Sequence, residues 1–404
     1  MSAERKGPAA ARTPPPHSWV QTLQRAWLVR GPLACLLWPL SQLYRAVWAL
    51  RTALYRSGLK RSTRLPVPVL VVGNVLVGGA GKTPTVIGLV QHLQAQGWRP
   101  GVLSRGHGRR GTGCLPVRPD SRAEQVGDEP LLIAQVTGVP VYVGRKRAAA
   151  GQALLAAQPG VNLLLCDDGM QHWALERDLT VLVFDARGCG NRWLLPAGML
   201  RQPWPAPAWG GGPLIVLQTG LPAGTHPDPA LAAGAPAFAA TRRLAEQAYN
   251  AQGQRVPLAH WVPPQTPPAP VGRRSEAAPE LAQGMPVQAA QSLLPEPMPR
   301  RCAALAGIAQ PEAFFALLRQ RGLHLEHTLA LPDHADSASL LQALAPYPPD
   351  LVWLCTEKDA VKLFPALRHS GSSRPPVYAV ALEQEPEAGF YVAVAQALGR
   401  IAQP

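Results

Sequence analysis

The sequence predicts an α/β fold, with a mostly parallel sheet around a phosphate-loop NTPase-like core and a smaller C-terminal α/β unit behind it. Three observations carry that expectation. Residues 67–72 form an apolar, β-branched run of the kind a buried strand shows. A glycine-rich turn follows and closes on Lys82 and Thr83. From Thr83 the pattern becomes helical, with Val86, Leu89, Val90 and Leu93 on one face and Gly97 as a stop. Downstream, short apolar runs keep alternating with helix-period segments, the pattern of a parallel sheet with crossover helices.

Strand, glycine turn, Lys-Thr and helix together read as a phosphate-binding loop over Leu76, Val77, Gly78, Gly79, Ala80, Gly81, Lys82 and Thr83. Small residues let backbone N–H groups converge on phosphate oxygens, and the helix N-terminus adds partial positive charge. Lys82 is placed to reach the terminal phosphates, and the Thr83 hydroxyl to ligate Mg²⁺. The spacing departs from G-x-x-x-x-G-K-[ST]. Leu76 stands where the first glycine belongs, with Gly73 earlier and a Gly78-Gly79 pair later. Pro84 suits a first helical turn.

The chain is long enough for two domains and a sizeable core. Its net charge of +14 points to an anionic partner: nucleic acid, acidic lipid or a phosphorylated substrate. The six cysteines include no C-x-x-C pair, and several fall inside strand-like runs. They read as buried, reduced thiols, with neither a zinc site nor a disulfide framework. The 45 prolines reflect genome composition as much as structure.

Residues 1–16 are polar and proline-rich and read as a disordered N-terminus, not a signal peptide. Residues 17–60 read as an amphipathic, membrane-associated helix. The uncharged run 31–44 is broken by Pro32 and Pro39 and falls short of the ~20 residues that span a bilayer. Trp27, Trp38, Tyr44 and Trp48 accompany Arg25, Arg30, Arg45, Arg51 and Arg56, a mixture suited to the interface of an anionic membrane.

The core spans 61–245. Residues 101–104 form a short strand, and 105–113 a basic glycine-rich loop placed to meet anionic substrate. Asp128 and Glu129 open the next helix, where acids are common as caps. Residues 139–143 form a strand and 145–158 a helix. Its first turn carries Arg145, Lys146 and Arg147, the wrong charge for a helix N-terminus unless an anion sits nearby. The strand 161–167 ends in Asp167-Asp168-Gly169-Met170-Gln171-His172. An acid at the end of a buried strand downstream of a phosphate loop is the usual holder of Mg²⁺. Residues 179–185 and 214–218 are further strands, and Arg201 lies in the loop between them as a phosphate contact.

Residues 246–300 read as a proline-rich linker or insertion, flexible from 252 onward. Order returns in 301–404, with strands at 302–308, 325–331, 350–354 and 377–382 and helices at 311–321, 337–344 and 388–401.

Seven motifs now stand in order: VGNVLVGGAGKTP, LSRGHG, GDEP, DDGMQH, LPAG-x-x-R, LPDH and TEKD. The chain resembles the tetraacyldisaccharide 4'-kinase (lipid A 4'-kinase) family from about Trp19 to the C-terminus, the 252–300 insertion apart. The resemblance implies ATP- and Mg²⁺-dependent phosphorylation of the 4'-hydroxyl of a tetraacylated glucosamine disaccharide 1-phosphate, giving lipid IVA in lipid A biosynthesis. It implies an enzyme on the cytoplasmic face of the bacterial inner membrane, with a glycolipid substrate and no nucleic-acid partner. By the same resemblance Asp128 is the catalytic acid and His334 its partner across an interdomain cleft. Lys82 stabilises the γ-phosphate, while Thr83, Glu129 and Asp167 form the Mg²⁺ shell. Asp168, Gln171 and Arg201 orient substrate or phosphate. One departure is His107, where the family more often carries an aromatic residue.

Two readings compete. A GTPase-like switch or metal-insertion ATPase would carry N-K-x-D after a late strand, which Thr356-Glu357-Lys358-Asp359 imitates with Glu for Asn. A non-catalytic membrane- or nucleic-acid-binding protein would bind any polyanion in a salt-dependent way. No aromatic-interleaved basic sheet supports nucleic acid.

Overall fold

The computed structural model describes residues 19–205, 212–263, 301–368 and 375–402. The N-terminal third contains α1 (Trp19–Ala26), α2 (Pro32–Arg56), β1 (Val69–Gly73), α3 (Lys82–Ala95), β2 (Pro100–Ser104), β3 (Leu115–Val117), α4 (Ala123–Val126) and α5 (Asp128–Thr137). Next come β4 (Val141–Val143), α6 (Arg147–Ala157), β5 (Leu163–Asp167), β6 (Leu179–Phe184), β7 (Leu214–Thr219), α7 (Pro229–Ala232), β8 (Ala237–Asn250) and β9 (Arg255–Pro257). The remainder holds β10 (Cys302–Ala306), α8 (Pro311–Gln320), β11 (Leu325–Ala330), α9 (Ser337–Leu344), β12 (Val352–Thr356), α10 (Glu357–Arg368), β13 (Val377–Pro386) and α11 (Ala388–Ala402).

These strands share one sheet, in the order β11-β10-β12-β13-β8-β7-β6-β1-β5-β2-β4-β3, with β9 paired to β8. Every pairing from β2 to β8 through β1 is parallel, and so is β11-β10-β12-β13. The two parallel blocks meet at an antiparallel β8–β13 ribbon, in which Gln384 faces Arg242. β8 is long because it serves both blocks. Its first residues pair with β7 and the rest with β13.

β1 explains how a wholly buried strand serves two layers. Leu70 and Val72 face α3, where they join Val86, Leu89, Val90 and Leu93. Val69 and Val71 face the opposite layer with Leu154 of α6 and Leu164. Each such side chain contributes ~1.5–3 kcal/mol when fully buried. In the C-terminal block, Ala304 and Leu354 pack on Phe314, Phe315 and Leu318 of α8. Trp353 and Cys355 pack on Leu340 and Leu344 of α9 on the other side.

Several elements differ from expectation. The 17–60 segment is two helices: α1 stops at Ala26, and Gly31 and Pro32 cap and start α2. None of the described helices is long and apolar enough to cross a membrane. The 246–300 stretch is not wholly irregular. β9 pairs with β8, and Trp261 is buried with its ring 5.2 Å from Tyr378. The expectations for 1–16 and for 264–300 lie outside the described residues.

Candidate active site

Gly81 caps α3 at φ +85°, a left-handed conformation that glycine adopts without strain. The first half of the loop is pinned rather than open. Leu76 bridges Leu200, the Val77 N–H donates to Met199 O at 2.9 Å, and the Arg201 N–H donates to Val75 O at 2.7 Å. The Leu76 side chain packs with Met199, Leu200 and Met170. Leucine replaces glycine here because the backbone is held by a bridge and the side chain fills the core. The amides beyond this stretch, from Gly78 to Lys82, form the turn at the helix start. Its far side is braced by β7 and the ribbon. Thr219 Oγ1 donates to Ala80 O at 3.0 Å, and Gln384 Nε2 donates to Gly81 O at 2.9 Å.

β5 delivers Asp167 and Asp168 beside this loop. Gly169 makes the turn possible, since a Cβ there would lie 2.7 Å from Cys166 Sγ and 3.0 Å from Val71. The Asp168 carboxylate stands 3.5 Å from Lys82 Nζ and 3.1 Å from Arg201 Nη1. Burial alone would raise its pKa, but Lys82 and Arg201 hold it below the usual range. Arg201 Nη1 also donates to Asn74 Oδ1 at 3.3 Å. Gln171 Nε2 donates to Asn74 O at 2.9 Å and to Gln202 Oε1 at 3.1 Å. The structure therefore gathers Lys82, Asp168, Gln171 and Arg201 into one cluster.

Asp167 is buried, and neither of its carboxylate oxygens has a hydrogen-bond partner among the described residues. Burial, with Glu129 and Asp168 nearby, pushes it up to about 7, against Lys82 and Arg147. An orphaned buried carboxylate beside two further acids suits a cation. Among the described residues, no three His, Cys, Asp or Glu side chains form a ready-made metal cage. Mg²⁺ needs none, because it is held through one or two carboxylates plus water and phosphate oxygens.

The second cluster lies where the two parallel blocks meet. Gly127 precedes α5 at φ +96°, and its added Cβ would touch Gly106 Cα at 3.0 Å and His107 O at 3.2 Å. The glycines of RGHG and GDEP thus interlock and fix the start of α5. His334 stands at φ +63° in the turn before α9. Its Nδ1 lies 2.9 Å from Asp128 Oδ2 and 3.2 Å from Oδ1. Lys362 Nζ lies 3.5 Å from the same Oδ2. Burial opposes ionisation of Asp128, yet the His334 hydrogen bond and the Lys358, His334 and Lys362 charges hold its carboxyl well below the usual range. The Asp128 hydrogen bond raises the His334 pKa, with burial and Lys358 opposing. The rings of His107 and His334 are 5.0 Å apart. Lys358 Nζ reaches Glu129 Oε1 at 3.4 Å. Lys358 of the TEKD motif therefore serves this cluster rather than an open base-reading loop.

Further members had no role assigned from sequence, where Arg147 stood only as part of an inverted helix-start charge. Arg147, buried at the start of α6, donates its N–H to His172 Nε2 at 3.3 Å and its Nη2 to Asp168 O at 3.4 Å. Burial, then Arg147, Arg177, Arg51 and Arg105, push His172 down to about 4. The inverted charge at 145–147 was the available signal for this basic pocket. Asp185 and Arg187 form a tight pair beside Gly78, and Gln310 Nε2 donates to Asp185 Oδ2 at 3.5 Å. Nothing in their local sequence marks them.

A glycine-capped phosphate loop, an acid pair at the adjacent strand end and a shielded Asp–His pair define a phosphate-loop phosphotransferase. A family model described as tetraacyldisaccharide-1-P 4'-kinase (LpxK) matches residues 33–399. The tetraacyldisaccharide 4'-kinase of Acidovorax sp. (strain JS42) is 51% identical over 353 residues, 87% of this chain and 88% of the relative. That of Polaromonas naphthalenivorans is 46% identical over 375 residues, 93% of this chain and 94% of the relative. A crystal structure titled as the "apo" form of LpxK from Aquifex aeolicus in complex with ATP superposes with a TM-score of 0.66 at 25% identity. The match covers 91% of this chain and 99% of that one. The chain belongs to the tetraacyldisaccharide 4'-kinase family.

Proposed function

We propose that this chain transfers the γ-phosphate of ATP to the 4'-hydroxyl of a tetraacyldisaccharide 1-phosphate, forming lipid IVA in lipid A biosynthesis. The observation that carries this reading is a pair of clusters, Lys82–Asp168–Arg201 at the phosphate loop and Asp128–His334 at the start of α5, linked through Asp167, which feels the charges of both Asp168 and Glu129. Phosphoryl transfer needs positioning and charge neutralisation more than covalent chemistry. The backbone from Gly78 to Thr83 cradles the phosphates. Lys82 and Arg201, now held by Asp168, are placed to meet the transferring phosphoryl group and the substrate. Thr83, Glu129 and Asp167 would hold Mg²⁺, which neutralises phosphate charge when bound. Asp128 accepts the hydroxyl proton, and His334 orients its carboxylate. Asp168 and Gln171 set the acceptor's position. We read 61–245 and 301–404 as lobes that close over the cleft, with the ribbon between them.

The substrate is a lipid, and α2 suits docking at the cytoplasmic face of the inner membrane. Its outer face exposes Leu36 (77%), Leu40, Leu43 (65%), Val47 and Leu50 (62%), a helical stripe. Its inner face is bolted to the site. Ser41 Oγ donates to Leu194 O at 2.8 Å, Tyr44 OH to Arg201 O at 2.8 Å, and Arg51 Nη2 to Gln171 O at 2.8 Å. Anchor and site residues are thus joined directly. A peripheral mode fits a helix that is apolar on one side only.

The test is product analysis. The purified chain, Mg²⁺-ATP and tetraacyldisaccharide 1-phosphate in detergent micelles should give a disaccharide bearing a second phosphate at the 4' position by mass spectrometry. A well-folded chain that yields none, or phosphorylates elsewhere, overturns the reading.

A further inference from the structure

The reaction as derived leaves Thr356-Glu357-Lys358-Asp359, at the β12–α10 junction, without a task. Lys358 reaches the Asp128–His334 pair, Thr356 and Asp359 brace the backbone beside it, and Glu357 turns away to accept from the Tyr249 hydroxyl at 3.0 Å. Lys358 Nζ lies 3.3 Å from His334 Nε2, 3.1 Å from Asp333 Oδ1 and 3.4 Å from Glu129 Oε1. One helical turn on, Lys362 Nζ lies 3.5 Å from Asp128 Oδ2 and 3.9 Å from Asp359 Oδ1. Asp359 Oδ2 accepts from Thr356 Oγ1 at 2.7 Å and from the Gly307 N–H at 3.0 Å. The Gly307 carbonyl in turn accepts the His334 N–H at 3.2 Å. A Cβ on Gly307 would stand 2.8 Å from Asp359 Oδ1, so glycine is what lets the two approach.

A lysine ammonium has three donors and no acceptor. Nε2 of His334 faces the Lys358 ammonium at 3.3 Å and, farther off at 3.8 Å, the Asp333 carboxylate; toward the nearer ammonium a neutral ring accepts at Nε2. The ring proton then sits on Nδ1, from which it is donated to Asp128 at 2.9 Å. The opposite tautomer would turn an N–H toward the ammonium and a lone pair toward the carboxylate, replacing two attractive contacts by two repulsive ones. Nδ1–H and Lys362 occupy Oδ2 of the Asp128 carboxylate and the Glu129 N–H donates to Oδ1 at 3.0 Å, so the second lone pair of Oδ1 is the one left for an incoming hydroxyl. Because α10 and α5 belong to opposite blocks of the sheet, this arrangement is complete only where the blocks meet.

We propose that Lys358 is a positioning residue that fixes His334 in the Nδ1–H tautomer, while Lys362 and Asp359 hold Asp128 and the His334 backbone in register. This rests on the phosphotransfer reading of Asp128, and the test separates the two. Wild type and Asp128→Asn are assayed first for γ-phosphate transfer to the lipid acceptor. Failure of wild type there counts against the kinase reading, whatever the lysine does. Given wild-type transfer, Lys358→Met should lower kcat between tenfold and a hundredfold, a part of the ~10²–10⁴ that a positioned base supplies. KM for ATP should stay within about twofold, and Lys358→Arg should recover part of kcat. The tautomer is read independently on folded wild type by ¹⁵N NMR of labelled histidine, with the His334 signals assigned by their loss in His334→Gln. A protonated Nδ1 with an unprotonated Nε2 supports the inference. Protonation at Nε2, alone or together with Nδ1, overturns it, as does wild-type kcat in Lys358→Met.

Discussion

Gly73→Ala should separate packing strain from chemistry at the phosphate loop. Gly73 ends β1 against the turn that carries Asp168 and Gln171, and an added Cβ would lie 2.6 Å from Met170 Cβ and 3.0 Å from Met170 N. Carbon atoms rest ~3.5–4.0 Å apart, so the two segments must separate by about 1 Å. No rotamer change relieves this, because the obstructing atoms are Met170's backbone and Cβ. β1 is hydrogen-bonded on both sides, to β5 and β6, and cannot yield. The displacement therefore falls on residues 168–171. Overpacking of this kind costs about 1–3 kcal/mol. A shift near 1 Å in positioning groups lowers kcat by roughly a hundredfold. Urea unfolding and steady-state transfer rates measure the two effects. Gly97→Ala is the control, since Gly97 stands at φ +87° with nothing within 4 Å of its Cβ. It should lose about 1–2 kcal/mol to backbone strain and keep its kcat. A Gly73→Ala enzyme with kcat within twofold of wild type, or equal kcat losses in both variants, would refute the packing argument.

Three further outcomes follow from the same geometry. His172 is held neutral in the fold, so between its ordinary 6.5 and about 4 only the unfolded chain takes up a proton, and stability falls as pH drops through that window. With solvent screening, the loss from pH 7 to pH 5 should be about 1 kcal/mol larger in wild type than in His172→Asn by urea titration, and equal slopes would contradict it. Burial, with Glu129 and Asp168 nearby, pushes Asp167 up to about 7, so above that pH it is a buried charge with no hydrogen-bond partner among the described residues. Asp167→Asn should raise the melting temperature at pH 8 without Mg²⁺ and abolish any further rise on adding Mg²⁺; a lower melting temperature would count against the orphaned carboxylate. Leu36→Asp with Leu43→Asp should weaken binding to anionic vesicles at least tenfold in a flotation assay while ATP affinity holds, and undiminished binding would remove α2 as the docking face.

The phosphate loop and its strand and helix were legible because three signals coincide there: an unbroken apolar strand, glycines, and a helix stripe that the structure buries. The pinned half of the loop was not. Leu76 reads as an irregular spacing until Leu200, far along the chain, is seen bridging it. β8 escaped notice because Arg242, Arg243, Glu246 and Gln247 break any two-residue alternation, although Ala240, Leu244 and Ala248 around them are buried. α10 follows β12 without a loop, and its first residues read as a motif after the strand rather than as the start of a helix. A lone histidine in a Pro-Asp-His turn carries little signal. Only the family resemblance picked out His334, whose partner lies 206 residues away. Lys358 had a visible motif but an invisible partner, and Lys362 lies outside that motif; their partners Glu129 and Asp128 belong to another part of the sheet.

The most direct test of the central claim is single-turnover transfer of labelled γ-phosphate from Mg²⁺-ATP to tetraacyldisaccharide 1-phosphate, wild type against Asp128→Asn and Lys82→Ala. Wild type should transfer label to the lipid. Asp128→Asn should slow the step by ~10²–10⁴ with ATP binding intact, and Lys82→Ala should lose transfer and weaken ATP binding together. Undiminished transfer in folded Asp128→Asn would contradict the assignment of the proton acceptor, and a folded wild type that transfers no label would contradict the account as a whole.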